Sequence, residues 1–208
     1  EVTYEDRAVV SPAERERVFG QRDHVRVYGP DYYDRLTRVG FIGCGRHATK
    51  MLYPSLRLAA LELVAVCDLD EALARRNARW FGAERYYTDH CRMLDAEKLD
   101  AVLICTGPAS HAHLVAECIR RGLPAFVEKP SARNLAEAEQ LRDLSAAAGV
   151  PVMVGMMKRH ALIYQRLKQV ISAPDFGSTA AVQAKFCTGW KNGNGFALLL
   201  DAGIHMID

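Results

Sequence analysis

The feature that most constrains the fold of this chain is a glycine-rich turn, Gly43-Cys44-Gly45, which follows an apolar run and precedes a plausible helix. With Ala48 three residues after the second glycine, the pattern is G-x-G-x-x-A, the strand–turn–helix signature of a dinucleotide-binding half-fold. Such glycines permit a tight bend and a close approach of a pyrophosphate, which would bind the first N–H groups of the helix at Arg46 and His47. The pattern by itself fits an ordinary glycine turn before a helix equally well.

An acidic residue stands where such a fold needs one. Residues 63–67 are apolar throughout, which is typical of a strand buried on both faces of a parallel sheet, and the run ends at Asp68. Asp68 follows Gly43 at close to the ~20-residue spacing of the acid that binds the adenosine ribose. A carboxylate there accepts hydrogen bonds from the 2′-OH and repels a 2′-phosphate, so the sequence favours NAD over NADP. The alternative role for Asp68 is to cap the next helix.

Strand-like and helix-like patterns alternate through the middle of the chain. Strands are predicted over residues 39–42, 63–67, 85–87, 101–105, 125–127 and 152–155. Helices are predicted over residues 46–60 with a kink at Pro54, over 70–81, 109–121 and 134–149, and as a short turn over 94–98. This rhythm predicts an α/β fold with a doubly wound parallel sheet of the Rossmann type. The loop that begins at Thr106 then lies beside the reversal of strand order, where such sheets bind ligands.

The composition excludes several classes of protein. The formal net charge is only +2 and no run of like charges occurs, so nothing points to nucleic acid or a membrane surface. No apolar stretch reaches the ~18–20 residues of a membrane span. The six cysteines are scattered without a C-x-x-C pair, which favours reduced, buried thiols in a cytoplasmic protein over disulfides or a metal site. No signal peptide is visible, and a removed leader stays open because the chain begins at Glu1.

Residues 1–37 do not continue the nucleotide-binding pattern. Ser11 and Pro12 predict the start of one helix, and residues 23–30 have the composition of a loop. Residues 14–29 and 31–36 resemble the C-terminal tail of a family of S-adenosylmethionine-dependent methyltransferases. Two interpretations are open: an N-terminal extension with solvated charges, or the junction of a fusion.

Two further motifs connect the chain to a known family. They are Glu128-Lys129-Pro130 and the pattern Asp201-x-Gly203-x-His205-x-x-Asp208. With the glycine turn and the strand-end acid, they make residues 38–208 resemble the Gfo/Idh/MocA oxidoreductases. The resemblance implies that residues 38–155 form an NAD(P)-binding Rossmann domain. It also implies that residues 156–208 begin a truncated α+β domain, whose antiparallel sheet holds substrate and mediates oligomers. Within these residues the sequence pattern predicts a helix over residues 163–170 and a strand over residues 179–186.

The resemblance also implies the roles of individual residues. Lys129 corresponds to a catalytic lysine that bonds a substrate hydroxyl near the nicotinamide. His205 corresponds to the general acid/base, and Asp201, four residues earlier, orients its ring. The implied cofactor-binding residues are Gly43, Gly45, Arg46, His47, Asp68, Thr106, His111, Glu128 and Lys129. One departure is that the family's usual Thr-Pro-Asn is Thr106-Gly107-Pro108 here, which leaves the contact to the nicotinamide ribose open.

These features together predict an NAD-dependent oxidoreductase. The resemblance implies hydride transfer between the cofactor and a sugar- or polyol-like secondary alcohol, in a homo-oligomer formed through the C-terminal domain. The alternative is a dinucleotide-binding module without turnover, which would serve as a sensor or interaction domain. The two differ in whether substitutions of Lys129 and His205 abolish hydride transfer.

Overall fold

The computed structural model describes residues 4–5, 26–27, 37–181 and 183. Two short strands, β1 (Tyr4–Glu5) and β2 (Arg26–Val27), pair antiparallel, so part of the loop predicted over residues 23–30 is a strand. Six more strands form a parallel sheet: β3 (Thr37–Ile42), β4 (Leu61–Cys67), β5 (Arg85–Tyr87), β6 (Ala101–Ile104), β7 (Ala125–Val127) and β8 (Val152–Val154). The helix predicted after Ser11 lies outside the described residues.

The order of strands in the large sheet is β5-β4-β3-β6-β7-β8, and every neighbouring pair is parallel. The chain runs outward from β3 to one edge, returns to the other side of β3, and runs outward again. This order confirms the predicted Rossmann sheet, because it is that of two mononucleotide-binding halves placed side by side. Strand order reverses between β3 and β6, and a ligand crevice is expected at the carboxyl ends of these two strands.

Alternate side chains of the central strands enter two separate cores, one on each face of the sheet. Phe41 of β3 and Leu103 of β6 pack with the helical segment after the glycine turn. Ile42 and Ile104, one residue further along the same strands, pack with helices on the opposite face. This division follows from the two-residue repeat of side chains along a strand. The site is formed by residues at the carboxyl ends of the strands.

Helices cover both faces. They are α1 (Tyr53–Ser55), α2 (Glu71–Phe81), α3 (His90–Ala96), α4 (Pro108–Arg120), α5 (Leu135–Ala148) and α6 (Leu162–Ile171). Side chains of Asp70, Asp89 and Asn134 accept backbone N–H hydrogen bonds at the starts of α2, α3 and α5, which satisfies donors that a helix leaves unpaired. The short helical turn predicted over residues 94–98 is present as the end of α3, but its bounds were wrong, because the Asp89 cap begins the helix at His90 and it ends at Ala96.

The helical segment that follows the glycine turn is irregular. A π-helical turn (Ala48–Leu52) leads into α1 and then into a 3-10 turn (Leu56–Leu58), so the continuous helix predicted over residues 46–60 was wrong in its regularity. The N–H of Tyr53 bonds to the carbonyl of Ala48, five residues back, and Pro54 has no N–H with which to continue the ladder. The segment therefore has a wide, π-helical turn shortly after the two glycines.

After β8 the chain enters the predicted second domain. The helix predicted over residues 163–170 is present as α6, whereas residues 179–181 and 183 are not in a strand. The remainder of the strand predicted over 179–186 lies outside the described residues, as do Asp201 and His205, and the antiparallel sheet stays a prediction. None of the helices in the described part of the chain is long and apolar enough to cross a bilayer.

Candidate functional site

A cleft of about 1010 Å³ opens where β3, β4, β6 and β7 end. Because parallel strands end at the same edge of a sheet, residues far apart in the sequence meet there. Eight of the predicted cofactor-binding residues line this cleft: Gly43, Gly45, Arg46, His47, Asp68, Thr106, Glu128 and Lys129. The ninth, His111, does not.

The two glycines of the turn have different physical functions. Gly43 has a φ of +109°, and a Cβ there would lie 2.0 Å from the carbonyl oxygen of Cys105 on the neighbouring chain segment. Gly43 therefore allows both the bend and the close contact between strand ends. A Cβ on Gly45 would meet no atom within 4 Å, so the glycine leaves open space at the cleft wall. Ala48 is buried in the core beside Phe41, as the third position of the motif requires.

The carboxylate of Asp68 is joined to the glycine turn. Its Oδ2 accepts the N–H of Cys44 at 2.7 Å, and its Oδ1 accepts the N–H of Asp70 at 3.0 Å. The cap of α2 is instead Asp70, whose side chain accepts the N–H groups of Ala72 and Leu73. The alternative role of Asp68 as a helix cap is therefore wrong, and the carboxylate borders the cleft.

His111 lies behind the cleft wall rather than in it. Its side chain is 1% exposed, with Nδ1 2.7 Å from the carbonyl oxygen of Pro130 and Nε2 3.1 Å from that of Thr106. These contacts join the loop after β6 to the loop after β7. His111 is thus placed between two loops that border the cleft, and its role in cofactor binding stays a prediction.

Glu128 and Lys129 follow β7 at the far end of the cleft. The Glu128 carboxylate accepts the backbone N–H of Lys129 at 3.1 Å, and its Oε1 lies 3.8 Å from Nε2 of His47 on the glycine loop. The peptide between Lys129 and Pro130 is cis. The cleft thus has a carboxylate and an amine at one end and Asp68 beside the glycine turn.

Buried thiols form part of the cleft floor. Burial raises the pKa of the Cys67 and Cys105 thiols to about 12, so both are neutral near pH 7 and are not nucleophiles. None of the five cysteines in the described part of the chain is in a disulfide; four of them are buried, as predicted, and Cys91 is partly exposed.

Sequence reasoning missed two histidines at the site. His90 of α3 and His113 of α4, neither of which lies in a motif, line the cleft, and their ring centroids lie 5.7 Å apart in an edge-to-face arrangement. No local pattern signals this pair, since the two residues come from different helices. Asp89, His90 and Cys91 also bring potential metal ligands within 4.8 Å of one another, but the Asp89 carboxylate already caps α3.

Fold and site together define a Rossmann dinucleotide-binding protein. Residues 37–156 match the Gfo/Idh/MocA family, described as an oxidoreductase family with an NAD-binding Rossmann fold. The chain belongs to this family, and its cofactor is NAD.

Individual relatives agree with this assignment. The chain is 32% identical over 175 residues to a D-apiose dehydrogenase of Paraburkholderia graminis, covering 80% of this chain and 47% of the relative. It is 28% identical over 140 residues to a myo-inositol 2-dehydrogenase of Thermotoga maritima, covering 67% and 42%. The crystal structure of a dehydrogenase from Chromobacterium violaceum superposes with a TM-score of 0.72 at 29% identity, covering 83% and 53%. The chain spans about half the length of these relatives.

Proposed function

We propose that this chain carries the cofactor site of an NAD-dependent dehydrogenase that acts on a secondary alcohol of a sugar or polyol. The observation that carries the proposal is the cleft at the carboxyl ends of the strands, where a glycine turn, a strand-end carboxylate and a lysine face the same space. At Gly45 the space that a Cβ would fill is open. A bulky anion such as a pyrophosphate needs this space to reach the backbone N–H groups.

The residues that hold the cofactor follow from this arrangement. The N–H groups after Gly45 bind the pyrophosphate, and the positive end of the helical turn favours its charge. Asp68 accepts hydrogen bonds from the hydroxyls of the adenosine ribose, which favours NAD over NADP. Glu128 binds near the nicotinamide ribose, at the end of the cleft where Lys129 also stands.

When bound, NAD supplies an acceptor for the hydride that leaves the carbinol carbon. The Lys129 ammonium donates a hydrogen bond to the substrate hydroxyl oxygen and stabilises the negative charge that develops there. His205 takes the hydroxyl proton, and Asp201 orients the imidazole so that one nitrogen is free to accept it. The alcohol thus loses a hydride and a proton and becomes a ketone. The roles of His205 and Asp201 depend on the motif, since both lie outside the described residues.

The substrate class is proposed from the relatives. Apiose is a sugar and myo-inositol is a polyol, and both offer secondary hydroxyl groups to such a site. The family resemblance also supports a homo-oligomer formed through the C-terminal domain.

The first experiment is a melting curve with NAD, with NADP and without ligand. A ligand at about 100 times its dissociation constant adds ~2.7 kcal/mol to the free energy of unfolding, so NAD should raise the melting temperature clearly and NADP should not. A chain that no dinucleotide stabilises would overturn the proposed function.

The second experiment follows NADH formation on a panel of sugars and polyols. Lys129→Ala should abolish turnover while NAD binding persists, and Lys98→Ala, an exposed lysine outside the cleft, should leave turnover unchanged. Unchanged turnover in Lys129→Ala and His205→Ala would refute their catalytic roles. Binding of NAD with no turnover on any substrate would instead favour the module without catalysis.

A further inference from the structure

A polar network around the buried amide of Asn77 lies next to the glycine turn. It consists of Thr49 from the π-helical turn and the adjacent residues Arg76 and Asn77 from α2, and none of the three borders the cleft. Asn77 has no exposed surface; its Nδ2 donates to the Thr49 hydroxyl at 2.9 Å, and its Oδ1 accepts Nε and Nη2 of Arg76 at 3.1 and 3.0 Å. A buried amide partnered at both ends is held in one orientation, because any other would leave its polar atoms unsatisfied.

This network ends on one backbone atom, the carbonyl oxygen of Cys44. Nη2 of Arg76 donates to that oxygen at 3.2 Å, and the Thr49 hydroxyl donates to it at 3.1 Å. On the other side of the same residue, the N–H of Cys44 donates to Asp68 at 2.7 Å. The peptide groups before and after Cys44 are therefore both fixed by side chains.

The orientation of the second peptide group determines where the next N–H points. In a trans peptide the C=O and N–H bonds point in opposite directions. Because the Cys44 carbonyl faces the network, the N–H of Gly45 faces away from it, on the side where Gly45 borders the cleft. The guanidinium also polarises this peptide group, which strengthens its N–H as a donor to an anion.

We propose that Thr49, Arg76 and Asn77 are positioning residues that aim the Gly45 N–H at the pyrophosphate of the cofactor without touching it. The guanidinium of Arg76 is itself held in place, since it lies 4.9 Å from the ring centroid of Trp80. This inference rests on the proposed function, because NAD supplies the pyrophosphate.

The test compares ligands that contain the pyrophosphate with one that lacks it. Dissociation constants of NAD, ADP and adenosine are measured for the wild-type protein, for Thr49→Val, which removes the hydroxyl at nearly constant shape, and for Arg76→Met. Each variant should weaken the binding of NAD and ADP by about 3- to 10-fold, as expected for the loss of one hydrogen bond, and should leave the binding of adenosine unchanged. If the three residues had a merely structural role, the substitutions would change the dissociation constants of all three ligands together or of none.

Matched controls come from the same elements. Thr49→Ser keeps the hydroxyl and should restore wild-type affinity for ADP. Arg75→Gln and Arg79→Gln alter exposed arginines on the same helix and should leave the ratio of ADP to adenosine affinity unchanged. Arg76→Lys keeps the charge without the planar fork and should give an intermediate ratio, so a second variant is available if Arg76→Met does not fold.

The outcomes separate the two proposals. Wild-type protein that fails to bind NAD would overturn the proposed function. Wild-type binding with an unchanged ADP-to-adenosine ratio in Thr49→Val and in a folded Arg76 variant would overturn the positioning role and leave the proposed function intact.

Discussion

Replacing each of the two turn glycines with alanine should separate folding from cofactor binding. In Gly43→Ala the new Cβ would lie 2.0 Å from the Cys105 carbonyl oxygen, a contact that must open by at least about 1 Å before it is sterically allowed. In Gly45→Ala the new Cβ would meet no protein atom within 4 Å and would instead extend into the cleft. We therefore expect Gly43→Ala to lose stability and Gly45→Ala to lose affinity for NAD.

The size of the effect at Gly43 follows from two contributions. A φ of +109° on a residue with a side chain costs ~1–3 kcal/mol. Moving the strand ends apart weakens the bonds from the Cys105 N–H to the Ile42 carbonyl and from the Gly43 N–H to the Cys67 carbonyl, at roughly 1 kcal/mol each. The sum of about 4 kcal/mol corresponds to a fall of roughly 8–16 °C in the melting temperature for a chain of this size.

The assay is a melting curve for the wild type and both variants, with and without NAD. Wild-type protein should melt roughly 5–10 °C higher with NAD at 100 times its dissociation constant. Gly45→Ala should melt within about 2 °C of the wild type without ligand and show no rise with NAD, because surface changes alter stability by ~0.5 kcal/mol or less. The reasoning would be refuted by a Gly43→Ala protein as stable as the wild type, or by a Gly45→Ala protein that NAD stabilises normally.

Three further predictions concern stability. Tyr53→Phe removes a buried hydroxyl that donates to the carbonyl oxygen of Gly43 at 3.3 Å, and it should lower the free energy of unfolding by about 1 kcal/mol in urea titrations. The control Tyr86→Phe, at an exposed position, should change the free energy of unfolding by less than half as much. Asp70→Ala removes the cap of α2 and should cost about 1 kcal/mol, whereas Asp143→Ala, an exposed position within α5, should cost little; equal losses would contradict the cap assignment. Burial raises the pKa of the Cys118 thiol to about 12, above its unfolded value of ~8.5, so its stabilising effect is complete below the lower value and is lost as the pH rises towards the higher one. Unfolding free energies measured across this alkaline range should therefore fall less steeply in Cys118→Ala than in the wild type, and parallel curves would contradict the assignment.

Much of the fold was predictable because its signals are local. The positions of the strands along the chain followed from apolar runs that alternate with helical patterns, and the cap and end of α5 at Asn134 and Gly149 followed from residue type alone. The start of α3 was missed although its signal, Asp89, is also local. The regularity of the helix after the glycine turn was mispredicted, because the width of a helical turn depends on how Tyr53 packs between Phe41 and Phe81.

The sequence by itself determined the glycine turn, the acid at the end of β4 and the lysine after β7, because each can be identified from a motif within a few residues. Only the tertiary structure decided that His111 braces two loops, that His90 and His113 share the cleft, and that Arg76 supports the turn from behind. These contacts join residues from different helices and strands. Their partners are set by how helices pack on the sheet, and no pattern along one segment of chain contains that information.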